Sequence, residues 1–416
     1  MSPPPTKIHV LDKANYSNHR LVSLQDTTPT TLPPSSLRLR PKILGLTTNN
    51  LTYARHGHLM GWYDIYPLPP STPAPYNDAQ TYGRVAAWGY AEIVESSVLG
   101  INRGQAVYGF LPISSGLETV CVESAEHGGM KIKNQLVVLD AHRQHLWQIY
   151  NRYTIFPSLP TLIASRGADA LGWDALMQGL FATGYNLSTF GFAWQDERRI
   201  HPSGKGEWGQ ENADLKGAAV VLLNASGKTG LGFAWAVRRA RPNAEQPERV
   251  IGVGSEVSVD AIRKSGMCDE VYLNSEDEVV KEVVEKSQCR RIVLLDFGAR
   301  EGVAEKWSST LSSSSIPFSQ ITVGGEVKVQ NPETARKRLA LLGKTVLVNA
   351  SLLREKGIEV GGEKYFEAFF EAWEEYKKDI SSMKLQWGTG LEAWEKGWEA
   401  LCRDEVRADT GLVYNV

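Results

Sequence analysis

Between Ala218 and Gly298 the sequence alternates between short apolar runs and amphipathic runs of helical length. The apolar runs AAVVLLN, RVIGVG, EVYLN and RRIVLLDFG are rich in Val, Leu and Ile, as in strands that are buried on both faces. The runs between them, such as GLGFAWAVRRA, SVDAIRKSG and EDEVVKEVVEKS, are typical of helices. Strands that alternate with helices form parallel sheets. This region is therefore predicted to be a doubly wound βαβ sheet, which FSQITVGGEV and KTVLVNASLL continue.

The first strand of this region ends in the small-residue turn NASGKTG, residues 224–230. A strand, such a turn and a helix N-terminus together present backbone N–H groups and a positive dipole end, which suits a phosphate. Gly227-Lys228-Thr229 resembles the end of a P-loop, but Leu222 stands where the leading glycine is required, and a P-loop is rejected. A degenerate dinucleotide-binding turn is the remaining interpretation. Its predicted cofactor-binding residues are Asn224, Ser226, Gly227, Lys228, Thr229 and Gly230.

The sequence before this region has a different character. Its first part consists of short β-branched runs broken by Gly and Asn, including PKILGLTTNNLTYA and GLETVCVES, and predicts a small antiparallel barrel. From Ala141 to Phe190 the period lengthens, and HLWQIYNRY and WDALMQGLFATGYNLSTF are predicted to be helices. Near the C-terminus KYFEAFFEAWEEYKK predicts an amphipathic helix, and ADTGLVYNV predicts a strand that pairs with an earlier one.

Length and composition limit the possible functions. A chain of 416 residues is expected to form two domains. Its 45 basic and 47 acidic residues are well mixed, which indicates neither a nucleic-acid partner nor an anionic membrane surface. No apolar run approaches membrane-spanning length, and the N-terminus lacks the pattern of a signal peptide, so a cytoplasmic location is expected. The four cysteines are scattered, which predicts reduced thiols and neither a disulfide framework nor a structural zinc site.

A β-rich first part, a βαβ middle and a returning C-terminal strand resemble the medium-chain dehydrogenase/reductase superfamily. The stretch Arg103 to Gly109 is similar to a Gly-Asp-Arg-Val-like element of that superfamily, and NASGKTGLG is similar to its Gly-Ala-Ser-Gly-Gly-Val-Gly turn. With NNLTYARHGHLMGWYDIYPLP, YNRY and LDFG, the chain resembles most closely the uncharacterised family DUF2855. The resemblance implies a GroES-like β-barrel catalytic domain plus a Rossmann-type doubly wound parallel sheet. The expected boundaries are 1–150, completed by 353–416, for the barrel and 151–352 for the nucleotide-binding domain.

The chain departs from the zinc-dependent members of the superfamily. Those members carry a Gly-His-Glu near the catalytic metal and a cluster of four cysteines, whereas this chain has Trp88-Gly89-Tyr90 and isolated thiols. A zinc ion needs three or four ligands in register, and no such set is visible in the sequence. No metal is therefore expected, and the metal-free quinone or enoyl reductases are the nearer relatives by chemistry.

NADP(H) is the expected cofactor. The second strand ends in Gly254-Ser255 and not in an acidic residue, which leaves room for a 2′-phosphate near Lys228. A register shift of one residue would instead make Glu256 a ribose acceptor, and Ser255 is as readily a helix cap. Further candidates near the cofactor are Asp296, Gly298, Thr183 and Gly324. Asp296 is as readily a capped turn residue, and the alternative for Thr183 is helix packing.

The leading hypothesis is a zinc-independent NADP(H)-dependent oxidoreductase that acts on an enone, a quinone or a related small-molecule carbonyl substrate in a cleft between the domains. Hydride transfer needs a proton donor, and the candidates are Tyr53, Tyr150, Tyr153 and Asp64. Two alternatives stay open because Asn224 and Lys228 replace turn glycines. They are a non-redox isomerase, cyclase or lyase on the same scaffold, and a nucleotide-binding or sensing protein without catalysis. The superfamily resemblance also implies a possible homodimer.

Overall fold

The computed structural model describes residues 5–24, 31–275, 279–285, 289–300, 302–326, 328–333, 335, 345–380 and 383–416. The chain folds into two compact units, which are each assembled from several segments. Unit 1 comprises Met1–Leu176, Lys328–Leu341 and Leu385–Val416, and unit 2 comprises Met177–Val327 and Leu342–Lys384. The domain boundaries given above stay a prediction. No helix among the described residues is long and apolar enough to cross a membrane.

Unit 1 is built around antiparallel strands that close into a barrel. The barrel order is β3-β5-β6-β9-β8-β7, and β7 pairs again with β3. A smaller sheet has the order β2-β1-β4. The strands are β1 (Thr6–Asp12), β2 (His19–Leu24), β3 (Ser36–Leu46), β4 (Tyr82–Gly83), β5 (Ala86–Ser96), β6 (Ala106–Pro112), β7 (Glu118–His127), β8 (Met130–Val138), β9 (Arg152–Phe156), β16 (Lys384–Thr389) and β17 (Thr410–Asn415). The helices are α1 (Thr48–Arg55), α2 (Gly57–Met60), α3 (Leu159–Arg166), the first half of α4 (Ala168–Asn186) and α12 (Leu391–Cys402).

The predicted return of the C-terminal strand is confirmed. Strand β17 pairs antiparallel with β3, with Leu412 opposite Leu46 and Asn415 opposite Ile43. The residues that face inward are almost all apolar or aromatic, and Trp394 and Trp398 of α12 are fully buried with the barrel strands. The last residues of the chain therefore complete the core of the first unit.

Two local predictions in unit 1 need correction. The run PKILGLTTNNLTYA, predicted as short strands and turns, is a strand only as far as Leu46, where β3 ends, and α1 begins at Thr48. Thr47 caps this helix, and the Asn50 side chain accepts a hydrogen bond from the Thr47 backbone N–H at 2.9 Å. These reciprocal bonds satisfy backbone groups at the helix start and outweigh the β-branched composition. Tyr53 consequently lies on a helix.

The second wrong prediction is the helix over HLWQIYNRY. This segment forms only one tight turn, Gln148–Asn151, and the chain then continues as strand β9. Thr154 and Ile155 of β9 pair with Tyr108 and Val107 of β6. A short apolar run does not distinguish a strand from a helix, and here the open edge of the barrel decides for the strand.

Unit 2 confirms the predicted doubly wound sheet. Its strands run parallel in the order β12-β11-β10-β13-β14-β15. This is the order 3-2-1-4-5-6 of a Rossmann fold, in which the direction of winding reverses between the first and fourth strands. The strands are β10 (Ala218–Leu223), β11 (Arg249–Gly254), β12 (Glu270–Leu273), β13 (Arg291–Phe297), β14 (Phe318–Gly324) and β15 (Val346–Leu347). The helices are the second half of α4, α5 (Gln210–Ala213), α6 (Lys228–Trp235), α7 (Val259–Ser265), α8 (Val279–Glu285), α9 (Val303–Ser312), α10 (Ala350–Gly361) and α11 (Glu363–Asp379).

The predicted sheet segment KTVLVNASLL is only partly correct. Val346 and Leu347 form β15, but Asn349 caps helix α10, and its side chain accepts hydrogen bonds from the N–H groups of Ser351 and Leu352. An Asn at this position favours a helix start over a longer strand. Lys344 lies outside the described residues, as do both ends of the predicted helix EDEVVKEVVEKS.

Candidate functional site

The turn after β10 lies where the winding of the sheet in unit 2 reverses. Asn224 has a left-handed backbone conformation, with φ of 56°. Its side-chain Nδ2 donates a hydrogen bond of 3.2 Å to the carbonyl oxygen of Phe297, the last residue of β13. Asn is among the few residues other than Gly that adopt this conformation readily. Asn224 therefore makes the tight bend that a glycine makes in the related turns, and its side chain links the ends of the two central strands.

The helix that follows the turn begins with a cation that has no partner among the described residues. Lys228 is the first residue of α6, and its side chain is half-buried. Within the part of the chain that the structure describes, its ammonium makes no hydrogen bond or ion pair, and burial lowers the pKa of Lys228 to about 8. A positive charge at a helix N-terminus is unfavourable unless an anion neutralises it. The turn is thus an electropositive place with no counter-charge among the described residues.

The other turn residues precede and follow this lysine directly in the chain. Gly227 has an extended backbone and donates its N–H to the Asn224 carbonyl at 2.9 Å. Ser226 is buried, Thr229 is half-buried and Gly230 is buried in the first turn of α6. A Cβ on Gly230 would meet its neighbours at an ordinary 3.4 Å, so this glycine is not sterically required.

The close helix packing expected of a dinucleotide turn is found at two other glycines. A Cβ on Gly184 of α4 would lie 2.5 Å from the backbone nitrogen of Phe233, and one on Gly232 of α6 would lie 3.2 Å from the Phe181 Cα. These two glycines let α4 and α6 approach closely. Thr183, beside Gly184, donates its hydroxyl to the Gly179 carbonyl of the same helix at 3.2 Å.

The end of β11 has the small residues that the sequence indicates. A Cβ on Gly254 would lie 2.5 Å from Ile262 Cδ1, so α7 packs directly on this strand end. The Ser255 N–H donates to the Ser258 hydroxyl at 3.0 Å, and the two hydroxyls are 3.1 Å apart. Ser258 precedes α7 directly, so the alternative in which Ser255 caps that helix is wrong. Glu256 is exposed, and Val257 is 84% exposed.

The loops after β13 and β14 lie against each other. The Asp296 carboxylate accepts hydrogen bonds from the N–H groups of Gly298 at 2.9 Å and Ala299 at 2.7 Å, and burial raises the pKa of Asp296. Gly298 has φ of 98°, and a Cβ there would lie 2.2 Å from the Gly325 carbonyl oxygen. Asp296 holds its own turn, which is one of the two roles that the sequence left open. Gly324 ends β14 beside it.

Unit 1 contains an aromatic cluster around the Tyr53 hydroxyl. Tyr53 is 3% exposed, and its oxygen accepts hydrogen bonds from Asn49 Nδ2 at 2.7 Å and Trp88 Nε1 at 3.1 Å. The ring of Tyr150 lies 6.0 Å away between centroids, and its hydroxyl is a third hydrogen-bonding neighbour. Burial raises the pKa of Tyr53, whereas the hydrogen bonds from Trp88, Tyr150 and Asn49 act in the opposite direction. Two predicted residues, Tyr53 and Tyr150, are therefore brought together.

The other two predicted proton donors lie elsewhere in unit 1. Tyr153 is fully buried, and its hydroxyl donates to the Phe110 carbonyl at 2.8 Å and lies 3.0 Å from the Tyr66 hydroxyl. Asp64 is exposed, and its carboxylate lies 3.1 Å from His145 Nε2. The structure thus separates these side chains from the Tyr53 cluster.

Two residues of the cluster were missed by sequence reasoning. The sequence singles out Trp88 only because it stands in place of a zinc-binding element, and it does not single out Asn49. Both side chains are half-buried above the phenol of Tyr53. The signal was present in Asn49 and Tyr53, because residues four apart on a helix share a face. Recognition of α1 as a helix would have paired them.

Metal and pocket geometry add little to these sites. Among the described residues, no group of three or more His, Cys, Asp or Glu side chains could hold a metal ion. Unit 1 also has a groove of about 420 Å³, lined by Lys13, His58, Gln80 and Asn331 among others. It contains none of the predicted site residues.

The sequence matches the family model of DUF2855, described as a protein of unknown function, over residues 44–407. The chain belongs to the DUF2855 family. No curated protein matches it. Membership of this family therefore indicates no particular activity.

Solved structures share the fold. CurA in complex with NADPH from Vibrio vulnificus has a TM-score of 0.52 at 13% identity, with 99% of each chain covered. A mutant form of the enoyl thioester reductase from Candida tropicalis has a TM-score of 0.53 at 11% identity, with both chains fully covered. The ETR1P/NADP/crotonyl-CoA complex has a TM-score of 0.54 at 11% identity over the full length of both chains. The two units thus have the GroES-like and Rossmann-type folds of medium-chain enoyl reductases, as the sequence predicted.

Proposed function

We propose that this protein is a zinc-independent NADP(H)-dependent reductase of an α,β-unsaturated carbonyl compound or a quinone. The observation that carries the proposal is the ammonium of Lys228 at the start of α6, which has no counter-charge in the part of the chain that the structure describes and lies beside the left-handed Asn224 turn. Both lie at the end of β10, where the sheet reverses its winding and where dinucleotides bind in such folds. An anionic phosphate would neutralise this charge.

Preference for NADP(H) over NAD(H) is supported by the end of β11. Ser255 and Ser258 supply hydroxyls there, and neither of the residues that end the strand, Gly254 and Ser255, is acidic. An acidic side chain at this point would repel a 2′-phosphate and would accept a hydrogen bond from a ribose hydroxyl. Glu256 is exposed one residue further on, so the preference needs a direct measurement. The residues that would hold the cofactor are the turn 224–230 and the strand ends at Gly254, Ser255, Asp296, Gly298 and Gly324.

The chemistry divides between the cofactor and this chain. When bound, the reduced nicotinamide would supply a hydride to the electrophilic carbon of the substrate. The protein must then supply a proton to the enolate or phenolate that forms. Tyr53 is the proposed donor, because its phenol is neutral at physiological pH and lies beside half-buried Asn49 and Trp88. The aromatic side chains around it favour a planar, apolar substrate. Two of the similar structures contain NADPH or NADP with crotonyl-CoA, which is such an unsaturated carbonyl compound.

The cofactor site is tested by calorimetric titration of the protein with NADPH and with NADH. We expect NADPH to bind more tightly, and Lys228→Gln to weaken NADPH binding about tenfold or more because a charge-assisted phosphate contact is lost. The affinity of the unchanged protein should fall between pH 7 and pH 9, since Lys228 loses its charge near pH 8. Lys264→Gln, at an exposed position on α7, is the matched control and should change neither the affinity for NADPH nor its dependence on pH.

Equal affinity for NADPH and NADH would refute the preference, and no binding of either would refute the site. Oxidation of NADPH is then followed at 340 nm with a panel of enones and quinones in the presence of a chelator. Binding without oxidation would favour the non-redox alternatives, and chelator-sensitive turnover would contradict zinc independence.

The proton donor is tested by Tyr53→Phe, which keeps the ring and removes the hydroxyl. Loss of a hydrogen-bond donor to a developing oxyanion typically lowers the rate about 100-fold. We expect that decrease in kcat, together with a lower thermal midpoint, because Asn49 and Trp88 lose the oxygen that accepts their hydrogen bonds. Tyr150→Phe and Tyr153→Phe are made in parallel. Full turnover in all three variants would place the donor elsewhere, with His56 or Asp64 next.

The proposal also includes a cytoplasmic location and a homodimer. Neither changes the chemistry above. Sedimentation equilibrium of the purified protein would decide between a monomer and a dimer, and fluorescent tagging would test the location.

A further inference from the structure

We infer that Trp88 and Asn49 are positioning residues that direct the Tyr53 hydroxyl and stabilise its phenolate when it gives up its proton. The inference rests on the proposed function, because it assigns a task to the neighbours of the proposed donor. Its evidence is the arrangement of donors around one oxygen atom. Trp88 Nε1 lies 3.1 Å from that oxygen and Asn49 Nδ2 lies 2.7 Å from it.

The direction of these hydrogen bonds is settled by chemistry. An indole N–H can only donate, so Trp88 must use a lone pair of the Tyr53 oxygen. The amide nitrogen of Asn49 likewise donates. With both lone pairs occupied in this way, the phenol must direct its own proton away from Asn49 and Trp88. The Tyr150 hydroxyl, the third hydrogen-bonding neighbour, can accept this proton and can donate to the phenolate once the proton has left. The same two bonds become stronger when the oxygen acquires charge, because a hydrogen bond to an ionised acceptor is roughly twice as strong as a neutral one.

The rest of the cluster keeps these donors in place. The Trp88 ring stacks on Tyr108 at 5.9 Å between centroids, with an angle of 20° between the planes. It also lies 5.1 Å from the Phe110 ring. Asn49 is held by α1, whose start is fixed by the Thr47 cap. Donors that are already aimed at the atom where charge develops require no reorganisation during the reaction.

Burial makes these donors necessary. A phenol that is removed from water is a poor acid, and the pKa of Tyr53 is raised for this reason. A buried tyrosine without donors around it would be unable to release its proton at a useful rate. Trp88 of β5 and Asn49 of α1 supply these donors from two different elements of unit 1.

The inference is tested with a fluorinated tyrosine at position 53, whose phenol ionises at lower pH and is observed by fluorine NMR. In one variant the indole of Trp88 is replaced by a benzothiophene ring, which keeps the two-ring shape and lacks the N–H. We expect the pKa of the fluorinated phenol to rise by about one unit. Asn49→Leu should raise the same pKa. Trp62, whose ring lies 4.9 Å from that of Tyr53, receives the same benzothiophene replacement as the matched control and should change it much less.

An unchanged pKa in the Trp88 and Asn49 variants would overturn the inference. An equal rise in the Trp62 control would also overturn it, since the effect would then come from the general surroundings. The titration needs no substrate, so its result is independent of the proposed reductase activity. If the pKa rises but NADPH reduces no enone or quinone, the proposed function fails while the stabilised phenolate stands. With a substrate in hand, the Trp88 variant should lower kcat by up to about tenfold and leave KM nearly unchanged.

Discussion

At the scale of single residues, the unusual features of the nucleotide turn have physical explanations. Asn224 and Lys228 stand where related turns have glycines, and the sequence alone suggests that both obstruct a pyrophosphate. In the structure Asn224 adopts φ of 56° and directs its amide to the Phe297 carbonyl. Lys228 adds charge at the point where an anion is expected. The identity of these residues could be read from the sequence, but their backbone and side-chain directions could not.

The conformation of Asn224 leads to a prediction. Asn224→Gly retains access to the left-handed region, whereas Asn224→Ala keeps the Cβ and loses the polar side chain that offsets it, so that the conformation costs about 1–2 kcal/mol. Both variants lose the hydrogen bond to Phe297. We expect Asn224→Ala to lower the free energy of unfolding more than Asn224→Gly, as measured by urea denaturation. Equal losses would show that the side-chain hydrogen bond and not the backbone conformation makes Asn224 important.

At the scale of helices and strands, the parallel sheet was predictable and two segments of the barrel were not. The alternation of buried strands and amphipathic helices after Ala218 gives a strong periodic signal, and the structure confirms it. The helix at Thr48 and the strand at Arg152 depend on a capping box and on the partners available at the barrel edge. Such local and long-range hydrogen bonds outweigh composition in short segments. The donors to Tyr53 were missed because they follow from that helix.

The crossing of α4 and α6 leads to a prediction at this scale. A Cβ at Gly184 would lie 2.5 Å from a backbone nitrogen, whereas one at Gly232 would lie 3.2 Å from the Phe181 Cα. Because the backbone atoms of a helix move only with the whole helix, the short contact made by Gly184→Ala must move α4 and α6 apart. We expect Gly184→Ala to destabilise unit 2 by about 2 kcal/mol or more and to weaken NADPH binding, with a smaller loss for Gly232→Ala. Denaturant unfolding and calorimetry measure the two effects, and the reverse order would contradict the packing argument.

At the scale of the whole molecule, the family and the two folds followed from the sequence, because the residue resemblance extends along nearly the whole chain. The arrangement of the candidate site residues could not be predicted equally well from the sequence. Tyr53 and Tyr150 meet in one cluster, while Tyr153 and Asp64 have other partners. A list of tyrosines near one motif contains no information on where each hydroxyl points. Side-chain direction is decided by packing against strands that are distant in sequence, such as β5 and β9.

Histidine burial leads to a prediction about the stability of the whole protein. The pKa is lowered by burial at five histidines, and to about 4 at His56; the five are His9, His19, His56, His58 and His201. In the unfolded chain histidines take up protons near pH 6.5, before the folded protein does. The contribution of these buried histidines to the free energy of unfolding should therefore be complete above pH 6.5 and decrease as the pH falls towards 4. The raised pKa of Asp296 acts in the opposite direction, in the lower range where carboxylates titrate.

The contribution of a single pair can be isolated. His9 is fully buried against the Trp398 ring, and its Nε2 shares a hydrogen bond of 3.0 Å with His19 Nδ1. His9→Phe removes a buried group that resists protonation. When the pH is lowered from 7 to 5, the free energy of unfolding of this variant should therefore decrease by about 1 kcal/mol less than that of the unchanged protein. Urea denaturation across this pH range provides the measurement, and parallel slopes for His9→Phe and the unchanged protein would show that acid destabilisation begins at another group.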